Sequence, residues 1–221
     1  MEFVNTADGS KTLFHELIGE HYHSKHGALQ ESKHVFLKTG LQHWLEKEDQ
    51  KEVSILEIGF GTGLNFLLTA DYASQNKLNI NYVGIEAYPL DSSLIFNSGY
   101  DQYLETSIWN NFITHYKEAL KHSVAFNECV QLEIAHTQLL NFNSENKFDV
   151  VYFDAFAEIH QPEMWNEEAL AHVSKFLKPK GVFVTYAITG NLKRTMKSLG
   201  FTIEKAPGAP GKREMLRATK I

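Results

Sequence analysis

Short apolar runs alternate with longer mixed segments through the middle of the chain. Val53 to Ile58 (VSILEI), Asn81 to Glu86 (NYVGIE), Val130 to Ala135 (VQLEIA), Phe148 to Phe153 (FDVVYF) and Gly181 to Ala187 (GVFVTYA) have the length and β-branched or aromatic content of strands. Between them, Leu64 to Asn76, Pro89 to Ser98, Trp109 to Ala125 and Pro162 to Leu177 predict helices. This rhythm predicts an α/β fold with a mostly parallel sheet and helices on both faces, whose ligands bind at the carboxyl ends of the strands. The tail reads differently. Leu192 to Leu199 predicts a helix, and Phe201 to Lys205 and Glu214 to Lys220 flank the Pro-Gly turn Ala206 to Gly211 as a C-terminal antiparallel hairpin, bringing the sheet to seven strands. Residues 1–50 stand outside the rhythm and predict a helical or irregular extension packed on the 51–221 body, its clearest piece a helix over 34–48.

At 221 residues with 43% hydrophobic content, the chain suits one such domain and excludes full disorder. The single cysteine, Cys129, cannot form an internal disulfide and reads as a small hydrophobe beside a strand. No apolar run approaches membrane-spanning length and the N-terminus lacks a signal-peptide pattern, so the expectation is a cytoplasmic protein with no membrane partner. A net charge of -6 argues against a generally basic nucleic-acid binder. Residues 190–221, however, carry eight Lys or Arg against only Glu204 and Glu214, which suits either a basic face for a polyanion or a charged surface hairpin.

The candidate chemistry begins at Glu57-Ile58-Gly59-Phe60-Gly61-Thr62-Gly63, between the first clear strand and a helix. Glycines at alternate positions let the backbone turn sharply and a ligand approach closely. The spacing is not the Gly-x-Gly-x-x-Gly dinucleotide fingerprint, and no pyrophosphate site accompanies it. An acid followed by Gly-x-Gly-x-Gly resembles the first motif of class I S-adenosylmethionine (SAM) methyltransferases. Glu86 ends the next strand, where a carboxylate can accept hydrogen bonds from both ribose hydroxyls of an adenosine-containing cofactor. Asp154 follows the strand FDVVYF, placed either to hold or deprotonate an amine nucleophile or to cap a turn.

The combination is more specific than generic methyltransferase motifs. Glu57 to Phe66 (EIGFGTGLNF), Val83 to Leu90 (VGIEAYPL), Asp154 to Trp165 (DAFAEIHQPEMW) and Gly208 to Leu216 (GAPGKREML) occur in the order found in the methyltransferase domain of the MnmC family, and Tyr22 to Leu37 resembles that family's lead-in segment. The resemblance spans about Tyr22 to Leu216. It implies a Rossmann-like class I fold and SAM-dependent methylation of the exocyclic amine of 5-aminomethyl-2-thiouridine at the tRNA wobble position. It further implies cofactor contacts at Glu57, Gly59, Phe60, Gly61, Thr62, Gly63, Asn65 and Glu86. With no FAD-dependent domain in the chain, a separate enzyme is expected to supply the amine, and neither FAD nor a metal is expected here.

One departure concerns adenine. Where many class I enzymes carry an acidic residue after the third strand, this chain has Ala135-His136-Thr137, leaving His136 or a backbone group to make that contact. Lys212, Arg213 and Arg217 form a basic hairpin suited to tRNA phosphates or to pairing with carboxylates such as Glu214. Phe156 and Trp165 suit either the core or stacking on a flipped-out base. Phe36, Trp44, Phe66 and Trp109 read as core. His21, His23 and His26 match no zinc-ligand spacing. Two rival readings share these features: an N-methyltransferase for small-molecule amines, and a non-catalytic RNA-binding protein on the same fold.

Overall fold

The computed structural model describes residues 1–221. Three short strands, β1 (Glu2–Asn5), β2 (Lys11–His15) and β3 (Glu20–His21), open the chain as an antiparallel sheet. A continuous helical run follows, made of α1 (Ala28–Ser32), a π-wound segment Lys33–Gln42 and α2 (His43–Lys47). The extension is thus part strand, a correction to the helical or irregular segment expected there. Its strands are two to five residues long, too short to show a period of two, and of their residues only Thr12 and Leu13 are fully buried.

The body runs β4 (Glu52–Ile58), α3 (Leu64–Asn76), β5 (Asn79–Glu86), α4 (Ser92–Phe96), α5 (Thr106–Ala119), β6 (Val124–Ala125), β7 (Val130–His136), β8 (Phe148–Phe153), α6 (Glu167–Ser174), β9 (Leu177–Thr185), α7 (Gly190–Ser198), β10 (Phe201–Pro207) and β11 (Glu214–Lys220). All seven expected strands are present, and the two-residue β6 joins them at one edge in the order β10-β11-β9-β8-β4-β5-β7-β6. The inner pairs β9/β8, β8/β4, β4/β5 and β5/β7 are parallel, and β10, β11 and β6 add antiparallel edges. The helix expected over 109–125 ends at Ala119, because Val124 and Ala125 leave it to pair with Leu132 and Gln131.

The inner strands are buried on both faces, which is why they read as continuous apolar runs. Ile55, Tyr82, Val150, Tyr152, Val182 and Val184 point into one core, under α3, α5 and the π-wound segment. Leu56, Val83, Val151, Phe153 and Phe183 point into the other, under α6 and α7. The π-wound segment is pressed tightly onto the sheet: a Cβ at Gly40 would lie 2.9 Å from Val184 Cγ2 and 3.0 Å from Tyr152 Cε1. From β4 the chain winds outward through β5 and β7, then returns to β8 on the opposite side, so the strand order reverses between β4 and β8. Ligand-binding crevices form at the carboxyl ends of the strands beside such a reversal.

Candidate active site

The strand ends at the reversal are tied together by backbone hydrogen bonds. Asp154 N donates to Ile58 O (2.8 Å), and Gly59 N and Phe60 N both donate to Ile85 O (3.1 Å each). Gly59 has φ +86, and a Cβ there would lie 2.5 Å from the carbonyl oxygen of Asp154. This glycine admits the neighbouring strand end rather than a ligand. Gly61 N donates to Glu86 Oε2 (2.9 Å) and Tyr88 N to Glu86 Oε1 (3.0 Å). Each Glu86 oxygen keeps a second lone pair, and the carboxylate lines the cavity above the loop.

Below the loop lies a buried polar cluster. Glu57 is fully buried, its Oε1 accepting from Asn65 Nδ2 and its Oε2 from the Tyr82 hydroxyl, both at 2.8 Å. Asn65 Nδ2 also donates to Asp154 Oδ2 (2.8 Å), so one amide bridges two carboxylates. Burial pushes both carboxyls well above the usual carboxylate range, the Asn65 bonds opposing it in each; at Asp154, Glu31 and Glu20 raise the value further and Lys212 lowers it. His23 approaches from the other side with Nδ1 3.9 Å from Asp154 Oδ2 and Nε2 3.3 Å from Thr62 Oγ1. Burial lowers its pKa to about 4, Glu31 opposing, so the imidazole is neutral at pH 7.

The N-terminal segment closes the cavity. Tyr22 lies over Gly61 and packs edge-on to Phe156 at 5.1 Å. Glu20 Oε2 accepts from Ala157 N (2.8 Å). Buried Glu31 accepts from Ser24 N at Oε2 (2.8 Å), and its Oε1 lies 3.4 Å from Lys212 Nζ. That ammonium also sits 3.8 Å from the ring centroid of Tyr186, whose hydroxyl donates to Ala155 O (2.9 Å).

Of the residues expected from the sequence, Gly59, Phe60, Gly61, Thr62, Glu86, Asp154, Phe156 and Lys212 line one cavity of about 690 Å³. Glu57 and Asn65 stand behind its wall, and Gly63 starts α3 against Phe60 and Phe112. His136 is exposed at the end of β7 and outside the lining, which Thr137 and Gln138 join instead. Trp165 is core: it is 3% exposed, its indole N–H donates to Phe156 O (2.7 Å), and it packs on Phe153. Lys212 turns inward to Glu31 rather than outward, Arg217 pairs with Glu204 (2.6 Å), and Arg213 is exposed without an ion pair. His21 packs on Phe14, His23 on Thr62 and His26 on Gly211, so the three histidines diverge. Glu20, Tyr22, His23, Glu31 and Tyr186 also line the cavity although no motif in the sequence marks them as site residues; Tyr22, His23 and Glu31 fall within the Tyr22 to Leu37 segment that resembles the family's lead-in.

The cavity suits an adenosine-containing sulfonium. Its volume lies within the range of small-ligand sites. Glu86 retains acceptor capacity for hydroxyls, and the acids Glu20, Glu31, Glu86, Asp154, Glu163 and Glu168 outnumber Lys25 and Lys212 in the lining, favouring a cation.

A family model described as "S-adenosyl-L-methionine-dependent methyltransferase" matches residues 103–221. A curated relative from Leptospira borgpetersenii, the tRNA 5-methylaminomethyl-2-thiouridine biosynthesis bifunctional protein MnmC, is 31% identical over 207 residues, covering 88% of this chain and 31% of the relative. The Campylobacter hominis protein of the same name is 26% identical over 231 residues, covering 99% and 32%. The chain thus spans about a third of the length of these relatives. Among solved structures, MNMC2 from Aquifex aeolicus superposes with a TM-score of 0.78 at 24% identity, over 98% of this chain and 69% of that one.

Proposed function

Since the chain belongs to the S-adenosyl-L-methionine-dependent methyltransferase family, we propose that it N-methylates the aminomethyl group of 5-aminomethyl-2-thiouridine at the tRNA wobble position, giving 5-methylaminomethyl-2-thiouridine. The substrate reading follows the relatives' names, and the observation that carries it is the acid-rich cavity with Asp154 at its buried end. The reaction would take place in the cytoplasm on tRNA that already carries the free amine, and it needs neither flavin nor metal.

SAM fits the residues present: Glu86 would hold the ribose hydroxyls, the Gly59 to Thr62 backbone would flank the methionine portion, and Thr137 and Gln138 would meet the adenine. When bound, it supplies an electrophilic methyl group on sulfonium sulfur, which retains the bonding pair on transfer. The substrate arrives as R–NH3+, drawn by the acidic lining. Asp154 takes one proton at its carboxylate, leaving R–NH2 with a lone pair free. Burial makes Asp154 a stronger base than an exposed carboxylate, which suits it to this transfer. Tyr22, Phe156 and Tyr186 exclude water around the amine. Arg213, exposed on the hairpin turn, would contact a backbone phosphate.

The test is transfer of labelled methyl from SAM to tRNA bearing 5-aminomethyl-2-thiouridine, followed by nucleoside analysis. Label in 5-methylaminomethyl-2-thiouridine is expected. SAM binding with no label in RNA would move the substrate to a small-molecule amine, the reading that the net negative charge favours; binding with no transfer to any amine would leave a non-catalytic fold.

A further inference from the structure

Buried hydroxyls have few choices of direction. Tyr100 is fully buried, and its hydroxyl has one partner, Thr62 Oγ1 at 3.0 Å. A buried O–H with a single neighbour donates to it. Thr62 Oγ1 therefore accepts from Tyr100 and directs its own hydrogen to its other partner, His23 Nε2 at 3.3 Å. An imidazole that accepts at Nε2 carries its hydrogen on Nδ1 when neutral. His23 Nδ1 has no hydrogen-bond partner and faces Asp154 Oδ2 at 3.9 Å, with both side chains 6% exposed.

We infer that His23 is a positioning residue for Asp154, presenting an Nδ1–H to the carboxylate at the end of a Tyr100–Thr62–His23 chain. The inference rests on the reading of Asp154 as the acceptor of the amine proton. At 3.9 Å the pair is longer than a hydrogen bond and closes with a shift of about 1 Å, as catalytic contacts do when a site fills. With Asn65 and His23 both directed at Oδ2, Oδ1 is left for the amine. Burial keeps His23 uncharged, so it holds the carboxylate without repelling an ammonium. The other charged or titratable groups around Asp154 are Glu57 beyond Asn65, Glu31 on α1, Glu20 on β3, Lys212 from the hairpin turn and the Tyr186 hydroxyl.

Two measurements decide it: the tautomer on the SAM-free protein, and the titration with S-adenosylhomocysteine bound, where the filled site closes the contact. Long-range proton–nitrogen correlation on histidine-labelled protein, with the His23 signal assigned by its loss in His23→Asn, reads the tautomer; a hydrogen on Nδ1 is expected, and one on Nε2 overturns the inference. Carboxyl carbon titration of Asp154 then compares His23→Leu, which removes the donor, with His23→Asn, whose amide can replace the Nδ1–H. The midpoint should rise by about one pH unit in His23→Leu and stay near wild type in His23→Asn; equal midpoints in the two variants overturn it. If His23→Leu does not fold, the wild-type tautomer decides alone. If tRNA is methylated, the acid limb of kcat/KM should move with these midpoints. Because the tautomer and the titration need no substrate, failure of tRNA methylation is distinguishable from failure of the relay.

Discussion

Gly59→Ala tests whether the glycine loop serves chiefly to bring two strand ends together. The added Cβ would sit 2.5 Å from Asp154 O and 3.0 Å from Asp154 C, so the two backbones must separate by about half an ångström or more. Holding alanine at φ +86 costs about 1–2 kcal/mol. Forcing the contact open adds about 1–3 kcal/mol. The sum, about 2–5 kcal/mol, lowers Tm by roughly 5–15 °C in a domain of this size. Gly200 provides the control: it has the same φ of +86 with no atom within 4 Å of its missing Cβ, so Gly200→Ala should incur only the conformational cost. Displacing Asp154 should also lower kcat of Gly59→Ala about 10- to 100-fold at temperatures where it is folded. The assays are thermal melting and single-turnover methyl transfer. A Gly59→Ala protein no less stable and no less active than Gly200→Ala would refute the close-approach reasoning.

Three further outcomes follow from the site. Because burial raises the Asp154 carboxyl, the fold favours its protonated form, a contribution complete below the ordinary carboxylate range and lost as pH rises through the raised value; D154N should therefore gain stability over wild type toward neutral pH in melts across pH 4–8, while methyl transfer falls about 10²- to 10⁴-fold with SAM affinity retained, and undiminished turnover would remove Asp154 from the mechanism. Lys212→Met leaves buried Glu31 without its cation and should cost about 1–3 kcal/mol by urea denaturation, discounted because Lys212 is over a third exposed, whereas adding Glu31→Gln should recover most of that; strictly additive losses would deny the coupling. Arg213→Ala should weaken tRNA binding across sequences and reduce the salt slope by about one, with SAM affinity unchanged; an unaltered slope would place the phosphates elsewhere.

The parallel body was legible because its strands are buried on both faces, so runs such as VSILEI and FDVVYF needed no alternation to stand out. The glycine loop, Glu86 and Asp154 were legible for a related reason: each lies within a few residues of a strand end, and strand ends are where such sheets bind ligands. Glu20, His23 and Glu31 were not, because their roles come from partners far along the chain: Ala157 is 137 residues from Glu20, and Lys212 is 181 from Glu31. His136, offered beside a backbone group for the adenine contact, was marked only by its position after the strand. It pairs in register with Glu86, yet its side chain is exposed and the lining begins one residue later. Trp165 could have been core or platform on composition alone; its indole hydrogen bond to Phe156 O assigns it to the core.

The way the site holds its acids bears on its chemistry. Glu57, Glu31 and Asp154 are all buried, and an unpaired buried carboxylate is costly. The obvious remedy, a cation beside each, would depress the basicity of Asp154 and repel an incoming ammonium. Glu57 instead takes its hydrogen bonds from the Asn65 amide and the Tyr82 hydroxyl, and Asp154 takes its own from Asn65 with neutral His23 nearby. Neutral donors stabilise the carboxylate geometry while leaving its negative charge for the substrate. The one lysine in the cluster is held to one side, on Glu31 and the face of Tyr186, an arrangement that is itself a carboxylate and an aromatic ring around a primary ammonium. The cavity therefore combines a neutral-lined acid that can accept a proton with surroundings already complementary to a primary ammonium, the two states that the proposed amine substrate would pass through before methylation.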